Sequence, residues 1–188
     1  MRPVVKLLLP VFAALSILCA PAFSGPVQAR PLTDAEKDKL QQTVDAFDKA
    51  MRDEDYDKVA NTIPPRVMEF IAKQAGLEVD ALRTVVIQQM EAALAAVTLE
   101  EFGMDMKALK EAELDNGAPY ALIPTETVMT SEATGTMRVQ SETLALLDEG
   151  QWYLVRVNDL QQVAILRQVY PEFSTVEFSG GKVGAAGQ

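Results

Sequence analysis

The sequence predicts one α+β domain in which N-terminal helices pack on an antiparallel sheet of about four strands, with a further helix at the C-terminal end. Three observations carry this. Apolar residues recur at spacings of three and four through residues 33–97. The period falls to two from Phe102. Turn residues at Asp115-Asn116-Gly117, Gly135 and Asp148-Glu149-Gly150 then cut the second half into strand-length pieces.

The chain begins outside that domain. Arg2 and Lys6 precede an uncharged apolar run from Leu7 to Cys19, and small residues follow at Ala20-Pro21-Ala22 and Val27-Gln28-Ala29, the pattern of a cleavable secretory signal. The run is interrupted by Pro10 and falls short of the roughly 20 residues a membrane helix needs, so no permanent span is expected after cleavage. Cys19 follows the bulky Leu18, which argues against a lipid anchor. A cut after Ala29 is preferred to one after Ala22. The expected organisation is a signal peptide over 1–29, a single domain over 30–178 and a disordered Gly- and Ala-rich tail over 179–188. The expected address is exported: periplasmic in a bacterium, or extracellular.

Cleavage narrows the chemistry. Of 188 residues, removing 29 leaves 159, enough to bury the core of one domain. The one Cys departs with the signal and the chain has no His, so disulfides, Cys or His nucleophiles, His bases and Cys/His zinc sites are excluded. No cofactor is expected. The 17 Lys and Arg fall by two to 15 against 27 Asp and Glu, taking the formal charge from −10 to −12. Nucleic acid is a poor partner for that field.

Each element has a local reason. Thr33-Asp34-Ala35-Glu36 has the form of a capping box with Leu32 as a staple, and Leu40, Val44, Phe47 and Met51 form the stripe of the first helix. A short second helix carries Tyr56, Val59 and Ala60 and stops at Ile63-Pro64-Pro65. The third runs through Val67, Phe70 and Ile71 to Gly76, where a left-handed cap is needed. Leu82, Val85, Val86, Met90, Leu94 and Val97 mark a longer fourth helix. The first strand is expected at Phe102, Met104 and Met106. A second runs from Tyr120 to Met129, where Pro124 favours an edge or bulge. The third spans Thr136 to Leu147 and the fourth Gln151 to Val157. Asn158 is expected to cap the last helix, which Pro171 ends.

The turn at Asp148-Glu149-Gly150 decides which side chains share a face. A two-residue loop forces Glu149 to positive φ, whereas a three-residue loop with a bulge puts only Gly150 there, so the longer loop is expected. It pairs Leu146 with Trp152, Leu144 with Leu154 and Glu142 with Arg156. Both faces of this hairpin are then apolar. A sheet with one wet face should alternate, so a second subunit or a ligand is expected to cover part of the face that helices leave open.

Ala46-Phe47-Asp48-Lys49-Ala50-Met51-Arg52-Asp53-Glu54-Asp55-Tyr56-Asp57, a helix, an acidic turn and a short helix, resembles the opening of the nuclear transport factor 2-like (cystatin-like α+β) superfamily. Gly150-Gln151-Trp152-Tyr153-Leu154-Val155 resembles its late strand entered from a Gly turn. The resemblance covers most of residues 33–157 and implies a curved sheet forming a cone, a pocket inside it, and dimers in many members. It selects no activity, because members include enzymes, adaptors and domains of unknown role. The Asp-His pair common in its enzymes is unavailable here. A helix after Asn158 departs from the usual further sheet.

Asp53, Asp55 and Asp57 have the spacing of a calcium loop, but Lys58 stands where Gly is required and Pro64 where Glu belongs, so helix capping is the better account. Met104 and Met106 share a strand face and suit copper(I) chemically, although core filling explains them more simply. No metal ligand or catalytic residue is assigned. Tyr120, Glu142, Trp152 and Arg156 are the candidate ligand-binding residues. The leading expectation is a non-enzymatic exported domain, homodimeric through the sheet, that binds a small apolar ligand or an envelope protein. One alternative is a cone-pocket isomerase or hydrolase using a carboxylate and Tyr without His. The other is an acidic assembly or adaptor protein presenting Asp53 and Asp55.

Overall fold

The computed structural model describes residues 30–186; the predicted signal peptide lies outside the described residues. Four helices, α1 (Asp34–Arg52), α2 (Tyr56–Ala60), α3 (Pro65–Ala75) and α4 (Val79–Ala95), precede five strands and a fifth helix, so the α+β architecture holds. The strands are β1 (Thr98–Met104), β2 (Lys110–Glu113), β3 (Pro119–Ser131), β4 (Gly135–Asp148) and β5 (Gln151–Arg156). Helix α5 (Leu160–Val169), a 3-10 turn at Pro171–Phe173 and a short β6 (Lys182–Ala185) complete the chain. The sheet is antiparallel and curls into a half-barrel in the order β1-β3-β4-β5, with β2 also on β3 and β6 also on β4.

The local signals act as the sequence implies. Thr33 and Glu36 form a reciprocal capping box at the start of α1. Glu36 is held down to about 2 by the Arg30 guanidinium and by the Thr33 N–H. Asp55 caps α2 by accepting from the Lys58 N–H at 3.2 Å, whereas Asp53 ends α1 through its backbone N–H and pairs its carboxylate with Lys49. Gly76 takes the left-handed conformation, φ 66°, that stops α3.

Three local expectations need correction. Asp159, not Asn158, caps α5, accepting from the Gln162 N–H at 2.8 Å. Pro124 lies in a central strand rather than at an edge. It is tolerated because β1 pairs with residues from Thr125 on and β2 with residues up to Leu122, so the ladder breaks at Ile123 and Pro124, and there Pro124 offers only its carbonyl, which accepts from the Asp105 N–H at 2.8 Å. The first strand starts at Thr98 rather than Phe102 and ends before Met106, with a register shift between Leu99 and Glu101.

The β4–β5 turn also differs. Asp148 pairs with Gln151 and the loop is the two residues Glu149 and Gly150, at φ 49° and 79°. This slips the expected register by one, pairing Leu147 with Trp152, Ala145 with Leu154 and Thr143 with Arg156. Packing explains the outcome. The slipped register sends Leu144, Leu146 and Tyr153 to the convex face, and Ala145, Trp152 and Leu154 to the concave face against α1. Burial of these side chains, about 1.5–3 kcal/mol each, outweighs the 1–2 kcal/mol of a left-handed glutamate.

Both faces are covered within the chain. The convex face buries Leu144, Leu146 and Tyr153 under Val163, Leu166, Tyr170 and Phe173, filling the place assigned to a second subunit or ligand. The stretch from Ser179, expected as a disordered tail, is ordered through Ala186: the Ser179 N–H donates to Glu142 at 3.2 Å, and β6 extends the sheet by pairing with Met137–Gln140 of β4. On the concave face α1 lays Leu40 and Val44 on Ala121, Ile123 and Ala145. The Trp152 indole N–H donates to the Glu36 carbonyl at 3.1 Å, fixing α1 to β5. No described helix is long and apolar enough to cross a membrane.

Candidate functional site

The concave face changes character along its length. At the end under α1 it carries Ala121, Ile123, Trp152 and Leu154 and is packed solid. Further along β3 and β4 the inward positions become Thr125, Thr127, Ser141 and Thr143. These side chains are too short to meet the helices, and a cavity of about 540 Å³ remains between the sheet and α2, α3 and α4. That volume falls within the range of small-molecule sites.

Its walls are apolar. Phe102 and Met104 of β1, Met129 of β3 and Val139 of β4 line the sheet side, and Met51, Ile71, Met90, Leu94 and Val97 the helical side. Thr125 and Thr143 satisfy each other across 2.8 Å, and the Thr125 hydroxyl also donates to the Ile123 carbonyl, so the deepest polar atoms ask nothing of a ligand. One lining residue carries charge: Arg156, exposed at the rim, with no ion pair or hydrogen bond among the described residues. Gln162 of α5, which lines the same cavity, has its Oε1 buried without a donor among the described residues.

Helix α4 covers the cavity on slender support. Of its residues only Leu82, near the N-terminal end, is fully buried, against Met68 and Ala72 of α3. Met90, Leu94 and Val97 face the cavity and are half-buried.

The four predicted site residues do not converge. Tyr120 lies on the convex face, its ring 5.5 Å from that of Phe173, and burial raises its hydroxyl pKa. Glu142 is on the same face and only 7% exposed. It accepts from Lys110 at 2.7 Å and from Ser179; burial pushes its carboxyl up, but these bonds outweigh it and the net shift is downward. The expected Glu142–Arg156 pair is therefore absent, because the one-residue slip puts the two on opposite faces. Trp152 is buried and lines a shallower groove with Lys39, Thr43 and Gly150 between α1 and the β4–β5 turn. Arg156 alone reaches the cavity. Tyr153 is buried in the convex cluster. A carboxylate and a tyrosine for acid–base work are thus not assembled among the residues lining the cavity. Met104 and Met106 both pack against the α1-side cluster, which is core filling.

The sequence reading passed over the threonines and serine that create the cavity. Their signal was the hydroxyl residues at alternate positions, Thr125 and Thr127 on one strand and Ser141 and Thr143 on the next, where core strands carry large apolar residues. Comparison with known proteins finds no match: no family model fits the chain, and no curated protein or solved structure is significantly similar to it.

Proposed function

We propose that this protein is a non-enzymatic binding domain whose cavity holds a small apolar ligand, acting after export in the periplasm or outside the cell. The observation that carries the reading is an open 540 Å³ space, lined mostly by apolar side chains, between the concave face of the sheet and the helices. Water against apolar walls finds few hydrogen-bond partners, and an apolar occupant that displaces it restores the contacts the walls lack. The absence of carboxylates from the lining favours binding over the isomerase or hydrolase alternative. Pairing of the Asp53 carboxylate with Lys49, and of Asp55 with Lys58 at the α2 N-terminus, weakens the acidic adaptor alternative. Membership of the nuclear transport factor 2-like superfamily is part of the proposal, supported by helices packed on a curled antiparallel sheet with a pocket inside.

A neutral fluorescent probe such as N-phenylnaphthylamine tests it. The probe is expected to bind the purified protein at one site with micromolar affinity or better, and Ser141→Trp, which places an indole in the cavity, is expected to weaken binding at least tenfold while leaving the circular dichroism spectrum intact. Equal binding by both proteins refutes the cavity as the site.

A further inference from the structure

We infer that the ligand is a single-chain amphiphile with a carboxylate head, its tail in the cavity and its head at Arg156. The inference rests on the binding reading above and specifies the chemical class. A purely apolar ligand would need no charge in the lining, yet one is there. Arg156 sits on the edge strand β5, paired with Thr143, so its stem starts from the concave wall and its guanidinium ends at the rim. Among the described residues Arg30, Arg66 and Arg138 pair with carboxylates, and Arg83 and Arg167 donate to other oxygens, whereas Arg52 and Arg156 do neither, and of these two only Arg156 lines the cavity. Its guanidinium is free to take a carboxylate in the bidentate geometry that group offers.

Gln162 gives the second indication. It lines the same cavity from the first turn of α5, and its buried Oε1 has no donor. Buried amide oxygens without partners are uncommon, and the N–H2 of the same amide has no acceptor among the described residues, which leaves it free to donate to an anion in the cavity that Arg156 also lines. One cation and one amide match a monoanion. A phosphate dianion would leave net negative charge unpaired at the rim of a chain already at −10, so a carboxylate is the better fit. The tail region suits a flexible chain: Met51, Met90, Met104 and Met129 line it, and methionine adapts its shape to an irregular occupant.

The test is competition against the neutral probe in the full chain, using laurate, lauryl alcohol, methyl laurate and lauryl phosphate. Laurate is expected to displace the probe about tenfold more tightly than the alcohol or the ester, as one partly exposed charge-assisted contact provides. Arg156→Gln is expected to abolish that preference by weakening laurate about tenfold more than it weakens the alcohol or the probe; Arg156→Lys should retain part of it. If laurate and the alcohol bind alike to the unsubstituted protein, or Arg156→Gln keeps the preference, the head-group assignment is wrong although the cavity still binds apolar molecules. Tighter, Arg156-dependent binding of lauryl phosphate overturns the carboxylate. Failure of the probe and all four lipids to bind overturns the cavity reading as well.

A second inference rests on a different observation. The Arg30 backbone nitrogen lies 2.7 Å from Glu113 Oε2, the Leu32 N–H donates to Glu111 at 2.8 Å, and the Arg30 guanidinium binds Glu36 through both oxygens. We propose that β2 and α1 form a socket for a free ammonium at Arg30, which places the export cut after Ala29. The intact mass of exported protein is expected to begin at Arg30, and Glu113→Gln to destabilise that form more than the uncut chain. A mature chain beginning at Phe23 or retaining Met1, or equal destabilisation of both forms, overturns it.

Discussion

Glu149 occupies the left-handed region at φ 49°, a conformation that Asn or Gly adopts at far lower cost in a two-residue hairpin loop. Glu149→Asn should stabilise the protein by about 0.5–1 kcal/mol in urea unfolding. A loss of stability would mean the loop has the longer, bulged form. Asp48 poses a different problem. Burial raises its pKa and its Oδ1 has no hydrogen-bond partner among the described residues. Because the folded-state pKa is the higher one, ionised Asp48 disfavours folding at neutral pH, and the penalty disappears as pH falls below the ordinary 3.8. Asp48→Asn is therefore expected to raise the melting temperature at pH 7, with the gain vanishing near pH 3.5.

At the scale of elements, much was legible in advance. Helices announce themselves through local chemistry, and the Thr33 box, the Pro65 start and the Gly76 stop all act within a few residues of where they stand in the chain. Register is not local in that sense. Turn preference alone favours the longer β4–β5 loop, whereas Val163, Leu166 and Phe173, distant in sequence, pack on Leu144 and Leu146 and decide the register. The same slip separated Glu142 from Arg156 and left only Arg156 at the cavity. Pro124 was misplaced for a related reason, since nothing local says that two short strands will share one side of β3 and leave a gap at that residue. Glu142 now serves the convex cover. Its carboxyl is shifted downward, so its contribution is complete above the ordinary 4.5 and is lost as the carboxylate protonates at lower pH. Glu142→Gln should cost about 1–3 kcal/mol at pH 7, a difference that narrows in acid. Hydrogen exchange at the Ser179 amide should quicken in the same variant.

For the molecule as a whole, the expectation of a dimer through the sheet came from a hairpin apolar on both faces. Those faces are met by α1 on one side and by α5 with the 3-10 turn on the other. The exposed large apolar residues include Leu160 and Val183, on α5 and β6. Light scattering is accordingly expected to give a monomer at millimolar concentration, and a stable dimer there would show that a surface outside the sheet faces self-associates.

Helix α4, packed on α2 and α3 and bordering the cavity through Met90 and Leu94, makes loading and folding linked equilibria. An occupant supplies the neighbours that Met90, Leu94 and Val97 lack, so it binds the folded chain and has no counterpart in the unfolded one. At a free concentration one hundred times its dissociation constant such an occupant adds about 2.7 kcal/mol to stability. The purified protein should then melt at a temperature that reports how much ligand it has carried through purification, and extraction of that ligand should lower the melting point and speed amide exchange in α4 before anywhere else.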